Sequence, residues 1–359
     1  MTPELVKVDA RALQEHCAGL LAKEGLSLGD ARRAAELLLD ADLRGLTSHG
    51  VAMLPSYLAG LRAGAISRRT SARLVADSGS LIILDAEHAL GQLTSRQATA
   101  LVAERAHTTG VAAVGVRHAH HFGAASTWSL RLAEEGLVGV VLSNTAPLMA
   151  APGGTTPVVG NNPLSIAVLD SNGRPLAADL AMSVGSVGKI KESQRAGAPI
   201  PPGWALDHAG EATQDPAEAL NGTLVPMGGA KGFALAVLIE VLTGVLTGGP
   251  FGAEVVKFSA HPDRPNNCAH LFLAIAPAAV GLAQVTAQAV EKLVGQIQRD
   301  PTDGRTVGTR APGRWRADLA REGLRSGVAV APRVLEQLGW PGSTERQANR
   351  SVDSPADIG

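Results

Sequence analysis

Aromatic side chains are scarce in this chain of 359 residues, at 3% of the total, so its core must be built from Ala, Leu and Val. Cysteine is scarcer still. Cys17 and Cys268 form neither a zinc nor a redox spacing, and two are too few for a disulfide scaffold. Neither sign of charge dominates: a formal net charge of -1 argues against a general binder of nucleic acid or of anionic membranes. The start, Met1 to Ala10, is polar and acidic, with no apolar signal segment. The longest strongly apolar stretch, Phe233 to Leu246, is interrupted by Glu240 and too short to span a bilayer. A soluble, cytoplasmic protein is expected.

Several motifs are missing too. No two glycines stand in G-x-G spacing, which removes the Rossmann fingerprint. Gly185-Ser186-Val187-Gly188-Lys189 is too short for a phosphate loop, and Ile190 stands where a magnesium-binding Ser or Thr belongs. There is no H-E-x-x-H.

What is present reads as globular, with 45% hydrophobic and 18% charged residues, and long enough for two domains. Asp9 can cap a helix running to about Glu24, stopped by Gly25. Ser27 and Asp30 have the spacing of a capping box for a helix from Ala31 to Leu43. The pair makes a helical hairpin that delivers Ser48-His49 at its far end. Leu81 to Asp85 reads as a strand, Thr94 to His107 as a helix, and Val111 to Val116 as a strand ending at His118-Ala119-His120-His121. A helix from Ala124 to Glu135 and a strand from Val138 to Leu142 follow, leading into Ser143-Asn144-Thr145. The middle, Pro152 to Gly229, is rich in Gly and Pro, with β-like runs at Leu164 to Leu169 and Pro175 to Asp179. Lys231 to Thr247 is a long apolar helix, Leu271 to Ile275 a strand, Ala278 to Gln298 a helix, and Pro301 to Arg316 an irregular basic loop. Beyond Trp340 the chain is polar and expected to fray. This alternation predicts a layered α/β or α+β architecture without internal repeats.

The chemistry is expected at Ser48-His49-Gly50. Histidine titrates near neutrality and suits proton transfer, and the glycine allows a sharp turn or a close ligand approach. Taken alone, a Ser-His pair in a loop is more often a cap or turn. Gly228-Gly229-Ala230-Lys231-Gly232 offers exposed backbone N–H groups, the positive end of a helix and a lysine, a combination that suits an anion. A plain turn with a solvated lysine fits those residues as well. His118, His120 and His121 look like a metal cluster, but no Cys or carboxylate follows at ligand spacing, so no metal is expected.

The stretch Asp42-Leu43-Arg44-Gly45-Leu46-Thr47-Ser48-His49-Gly50, with Leu54-Pro55-Ser56-Tyr57-Leu58 and Leu61-Arg62-Ala63-Gly64-Ala65-Ile66, resembles the opening signature of the malate/L-lactate dehydrogenase family. That family is a non-Rossmann group of NAD(P)-dependent oxidoreductases that includes sulfolactate and ureidoglycolate dehydrogenases and the piperideine-2-carboxylate and pyrroline-2-carboxylate reductases. The resemblance recurs through Gly313. It implies a helical domain over residues 1–75, completed by 300–340, packed on a central mixed-sheet NAD(P)-binding domain over 76–299. Residues 341–359 would be a flexible tail. It also implies NAD or NADP as cofactor, a small carboxylate substrate and a homodimer, with no nucleic-acid or membrane partner.

The same resemblance assigns roles. His49 would transfer the proton, supported by Asp179, and Ser48 would hydrogen-bond the substrate. His121 matches a histidine at the cofactor and substrate cleft; proton transfer stays open between it and His49, with His49 favoured and His121 as positioner. The cofactor would meet His121, Thr145, the run Pro175, Leu176, Ala177, Ala178, Asp179, Leu180 and Ala181, then Ala230 and Lys231, and finally Gly313, Arg314 and Trp315. One departure stands out: Met53 and Gly60 occupy positions where many members carry arginine, and a thioether cannot clamp a carboxylate. Arg44, Arg62, Arg117 or Lys189 are then the candidates for the missing cation beside Met53. The expected reaction is hydride transfer at C2 of a small 2-oxo carboxylate. Reduction of a cyclic 2-imino carboxylate is the alternative within the class, and an inactive small-acid-binding protein the alternative outside it.

Overall fold

The computed structural model describes residues 5–298 and 309–341. Its first strand, β1 (Val6–Val8), is followed by α1 (Ala10–Lys23), whose N-cap Asp9 accepts a hydrogen bond from Ala12 N at 2.7 Å. Gly25, at φ +99°, makes the turn to α2 (Leu28–Leu43), which Ser27 caps by accepting from Asp30 N at 3.1 Å. Then α3 (Leu54–Ala63) carries Pro55 in its first turn and ends on left-handed Gly64, a placement that suits both residues. These helices share a core containing Leu13, Leu21, Leu38, Leu54, Tyr57 and Leu61.

The second body is a seven-stranded sheet. Its strands are β2 (Arg73–Asp77), β3 (Leu81–Asp85), β4 (Val111–Ala119), β5 (Val138–Ser143), β8 (Leu164–Leu169), β9 (Pro175–Leu180) and β13 (Cys268–Ile275), in the order β2-β3-β4-β13-β5-β8-β9. Only β3 and β4 run parallel, joined by the crossover helix α4 (Gly91–Thr109); the other pairs are antiparallel. With α5 (Ala125–Glu134), α4 packs on the sheet over buried Trp128, Phe272, Ile82 and Val102. Truncating Trp128 to Ala would cost on the order of 4 kcal/mol.

A smaller cluster lies beside the sheet. It gathers the strands β6 (Met149–Ala150), β7 (Pro157–Val159), β10 (Ala205–Leu206), β11 (Ala212–Thr213) and β12 (Thr223–Leu224) with the helices α6 (Val187–Ala196), α7 (Pro216–Asn221) and α8 (Ala230–Glu240). The chain continues through α9 (Ala283–Ile297) and α10 (Arg314–Ser326) to β14 (Val328–Val330) and α11 (Pro332–Gln337). Antiparallel pairing of β14 with β1, plus Val334, Leu335 and Leu338 of the final turn, returns the chain's end to the first helical core.

Several expected elements differ. The apolar helix from Lys231 to Thr247 is α only as far as Glu240; Val241–Val245 is a π-helical turn. The helix expected from Ala278 begins at Ala283, after a 3-10 turn (Pro277–Val280) closed by left-handed Gly281. The loop expected to reach Arg316 ends at left-handed Gly313, and Arg314 already opens α10. Residues 301–308 of that loop and the tail 342–359 fall outside the described residues. β2, missed in the sequence because all five of its residues are exposed and show no alternation, crosses the expected boundary at residue 75. Among the described residues, no helix is long and apolar enough to cross a membrane.

Candidate active site

Ser48 and His49 sit on a 3-10 turn (Thr47–His49), and a second such turn (Val51–Met53) leads into α3. What fixes this crossover lies beneath it. The buried Asp42 carboxylate accepts from Val51 N at 2.7 Å, and a Cβ on Gly50 would come within 2.2 Å of that carboxylate. Close approach, not left-handed backbone, is why glycine follows His49. Ser48 Oγ lies 2.9 Å from His49 Nδ1, so the hydroxyl expected on the substrate is turned onto its neighbour. His49 Nε2 has no partner among the described residues.

His121 comes from the loop after β4 and stacks on His49, with ring centroids 5.7 Å apart and planes 24° from parallel. Tyr57 Oη is 2.6 Å from His121 Nδ1, and Gln92 Nε2 donates to the same Tyr57 oxygen at 3.1 Å. A phenol that donates to Nδ1 leaves a neutral His121 with its own proton on Nε2. The Phe258 ring packs against His121 at 5.3 Å. Behind them α4 begins in close contact: a Cβ on Gly91 would lie 2.1 Å from the His120 carbonyl oxygen.

Burial sets the acid–base order of this cluster. It holds His121 well below the usual histidine range, helped by the charges of His49, His120 and His270, and pushes His120 to about 3. His49 is also lowered by burial, but the negative charge of Asp179 pulls it up while Arg316 pushes it down. Of the two stacked rings, His49 is the one poised between opposing charges. Tyr57 is raised by burial and stays a phenol.

Asp179 was expected to orient His49. Its carboxylate is instead held at the start of α5, where Ser126 donates from N at 3.2 Å and from Oγ at 2.5 Å. It acts on His49 through its field and not through a hydrogen bond. The rest of the run from Pro175 to Leu180 is the edge strand β9, with Ala181 just beyond, and its free edge receives the Pro312–Gly313 loop: Ala177 N donates to Pro312 O at 3.2 Å. A Cβ on Gly313, at φ +82°, would fall 3.0 Å from the Ala177 backbone. These two segments, both expected at the cofactor, are therefore in contact. Arg314, expected at the cofactor, is committed elsewhere: it forms a 2.6 Å ion pair with Asp170, with both side chains buried.

Trp315 is exposed, and the Arg316 guanidinium lies over its ring at 4.4 Å. Arg316 also donates to the Arg44 carbonyl at 3.0 Å and makes no ion pair within 4 Å among the described residues. Arg316 lies one residue beyond the expected stretch Gly313-Arg314-Trp315, and only its place as the second basic residue after Pro312-Gly313 marks it in the sequence. The cations proposed there fare differently. Arg44 pairs with Asp40, Arg62 with Glu24 and Arg117 with Asp85, while Lys189 lies 5.8 Å over the Trp204 ring. The start of α6 does reach the site, since a Cβ on Gly188 would lie 3.3 Å from Ser48 Cβ. Met53 is half-buried against the helical core.

The start of α8 has features that suit an anion. Gly228 and Gly229 are both left-handed, at φ +64° and +65°, and a Cβ on Gly232 would meet the Met227 carbonyl oxygen at 2.0 Å. No side chain caps α8, and Ala230 and Lys231 are exposed in its first turn. A lysine opposing the macrodipole of an uncapped helix fits a bound anion. Thr145, at the end of β5, is fixed by Asn162 Oδ1, which accepts from its N at 2.9 Å, and by Asn161 Oδ1, which accepts from its Oγ1 at 2.9 Å. No group of three His, Cys, Asp or Glu among the described residues is placed to hold a metal ion.

The comparisons with known proteins agree with one another. The family model for malate/L-lactate dehydrogenase matches residues 8–339. A (2R)-3-sulfolactate dehydrogenase (NADP(+)) of Chromohalobacter salexigens is 38% identical over 271 residues, 76% of this chain and 81% of that protein. The solved sulfolactate dehydrogenase of Methanocaldococcus jannaschii superposes with a TM-score of 0.85 at 30% identity, over 93% of this chain and 95% of that one. A delta1-piperideine-2-carboxylate reductase of Pseudomonas syringae superposes with a TM-score of 0.82 at 28% identity, over 93% and 98%.

Proposed function

The chain belongs to the malate/L-lactate dehydrogenase family and is an NAD(P)-dependent oxidoreductase of small hydroxy and oxo acids; we propose that His49 is its proton-transfer residue and that the cleft between His49, His121 and Arg316 takes a 2-oxo carboxylate. The stacked His49–His121 pair carries this reading. When bound, the nicotinamide supplies or accepts the hydride at C2. His49 Nε2 gives the proton to the forming alkoxide, and Ser48 fixes the ring through Nδ1. His121, kept neutral with its proton on Nε2, donates a hydrogen bond that orients the substrate oxygen. Arg316 stands in for the family arginine replaced by Met53 and meets the carboxylate. Lys231, the α8 N-terminus, Thr145, the β9 edge and Gly313 hold the cofactor.

A 2-imino carboxylate is the second reading, favoured by the superposition on the piperideine-2-carboxylate reductase and by the uncharged Met53. Oxidation of NADH and NADPH against oxaloacetate, pyruvate, 2-oxoglutarate and piperideine-2-carboxylate separates the two. His49→Ala should cut turnover on the preferred substrate by about a thousandfold and leave cofactor affinity nearly intact. Undiminished turnover in that variant overturns the assignment. We also place a second copy of the chain over the exposed apolar face formed by Leu238, Val241, Leu242 and Val245, which supports a homodimer. Buried, unpaired Cys17 and Cys268 support the cytoplasm as its compartment.

A further inference from the structure

Glu240 is a carboxylate buried to 6% exposure with no part in the chemistry described above. It closes α8 just before the π-helical turn, a departure from α geometry that often marks a functional position. Its two oxygens accept three hydrogen bonds: from Asn162 Nδ2 at 2.9 Å, from Asn144 Nδ2 at 3.0 Å and from Gly252 N at 3.3 Å. Both asparagines are fully buried and fully used. Asn144 also donates to Pro250 O and accepts from Ala269 N; Asn162 also donates to Ala236 O and accepts from Thr145 N and Oγ1.

We infer that Glu240 is a positioning residue for the cofactor site, tying the helix that carries Lys231 to the Thr145 turn through Asn144 and Asn162. The inference rests on the proposed cofactor role of Thr145 and Lys231. The direction of every bond is pinned from outside. Backbone N–H groups can only donate, so Thr145 N and Ala269 N force the amide oxygens of Asn162 and Asn144 toward themselves. Both NH2 groups must then face Glu240. Only a group that accepts at both oxygens fits at position 240. Glutamine would set an NH2 against one asparagine NH2, and flipping that asparagine only moves the conflict to Thr145 N or Ala269 N. Lys231, nine residues before Glu240 and about 13 Å along the helix, shares this anchor.

Glu240→Gln tests the inference. Losing one charged buried hydrogen bond should raise the KM and Kd for NAD(P)H about tenfold and leave kcat nearly unchanged. Glu240→Asp keeps two accepting oxygens and no NH2 but draws them back by one methylene, so it should raise the cofactor Kd by less than Glu240→Gln does, again with kcat kept. A merely structural loss would lower kcat and the folded fraction without this split. If Glu240→Gln does not fold, Glu240→Asp decides: folded, it should bind NAD(P)H severalfold more weakly than wild type with kcat kept, and an unaltered Kd in that variant overturns the inference. Unaltered binding by Glu240→Gln overturns it as well, with the functional reading untouched. Wild-type protein that binds neither NADH nor NADPH overturns the functional reading and the inference with it.

Discussion

Asp42→Asn isolates the cost of the carboxylate beneath the Ser48–His49 turn. Burial pushes the Asp42 carboxyl up to about 7, even though Val51 N donates to it. In the unfolded chain the group titrates near its ordinary value of about 3.9. Because the folded value is the higher one, the unfolded chain binds fewer protons between roughly pH 4 and pH 7, and stability must fall as pH rises through that window. A separation of about three units is worth about 4 kcal/mol in full, of which about 2.5 kcal/mol develops between pH 5 and pH 8. Asparagine keeps an oxygen for Val51 N and cannot ionise. Urea-unfolding midpoints of both proteins at pH 5, 6, 7 and 8 give the difference directly, since the other titrating groups cancel. The variant should gain on wild type by about 2.5 kcal/mol across that range. Parallel pH profiles would refute the reasoning, because they would mean that Asp42 stays ionised and solvated under the turn.

The field at His49 and the contact at Gly313 give two more tests. If protonated His49 drives reduction, kcat/KM falls as pH rises through the His49 pKa; Arg316→Met should move that break up and Asp179→Asn should move it down, measured as pH profiles of the two variants. Breaks that move together would show that the two charges do not act on His49. Gly313→Ala places a Cβ 3.0 Å from the Ala177 backbone at φ +82°, so the loop must leave β9. Calorimetric titration with NADH and NADPH should show affinity lowered about tenfold or more, and unchanged affinity would remove Gly313 from the cofactor site.

Much of the scaffold is legible because local chemistry and tertiary demand agree. Asp9 and Ser27 cap the helices they were expected to cap, and the apolar runs at Leu81, Val138 and Leu164 are strands of the central sheet. The site is legible only where it is contiguous. Ser48-His49-Gly50 stands out in the chain, but the stack of His49 on His121 joins residues far apart in sequence. Tyr57, a core residue by its helical spacing, gives no sign that its hydroxyl fixes His121. Glu240 reads as a flaw in an apolar helix, since its three donors come from segments with no periodic signal. Arg314 and Arg316 look alike in sequence, yet one closes a buried ion pair with Asp170 and the other lies over the Trp315 ring without an ion pair among the described residues.

That last difference bears on how the acid is timed. An arginine already bridged to a carboxylate, as Arg44, Arg62 and Arg117 are, offers a substrate anion little further stabilisation. Arg316 is braced by the Arg44 carbonyl and the Trp315 ring, neither of which neutralises it, so its charge remains available. In the free enzyme that charge helps hold His49 deprotonated. On the proposed reading, a carboxylate arriving at Arg316 would cancel that field and let the His49 pKa rise, so that the proton is taken up when there is an oxygen to receive it. The pH break of kcat, which reports the bound complex, should then lie above that of kcat/KM, which reports the free enzyme. Removing Arg316 should close the gap between the two. A gap that survives in Arg316→Met would mean that burial alone, and not the substrate's own charge, sets the proton on His49.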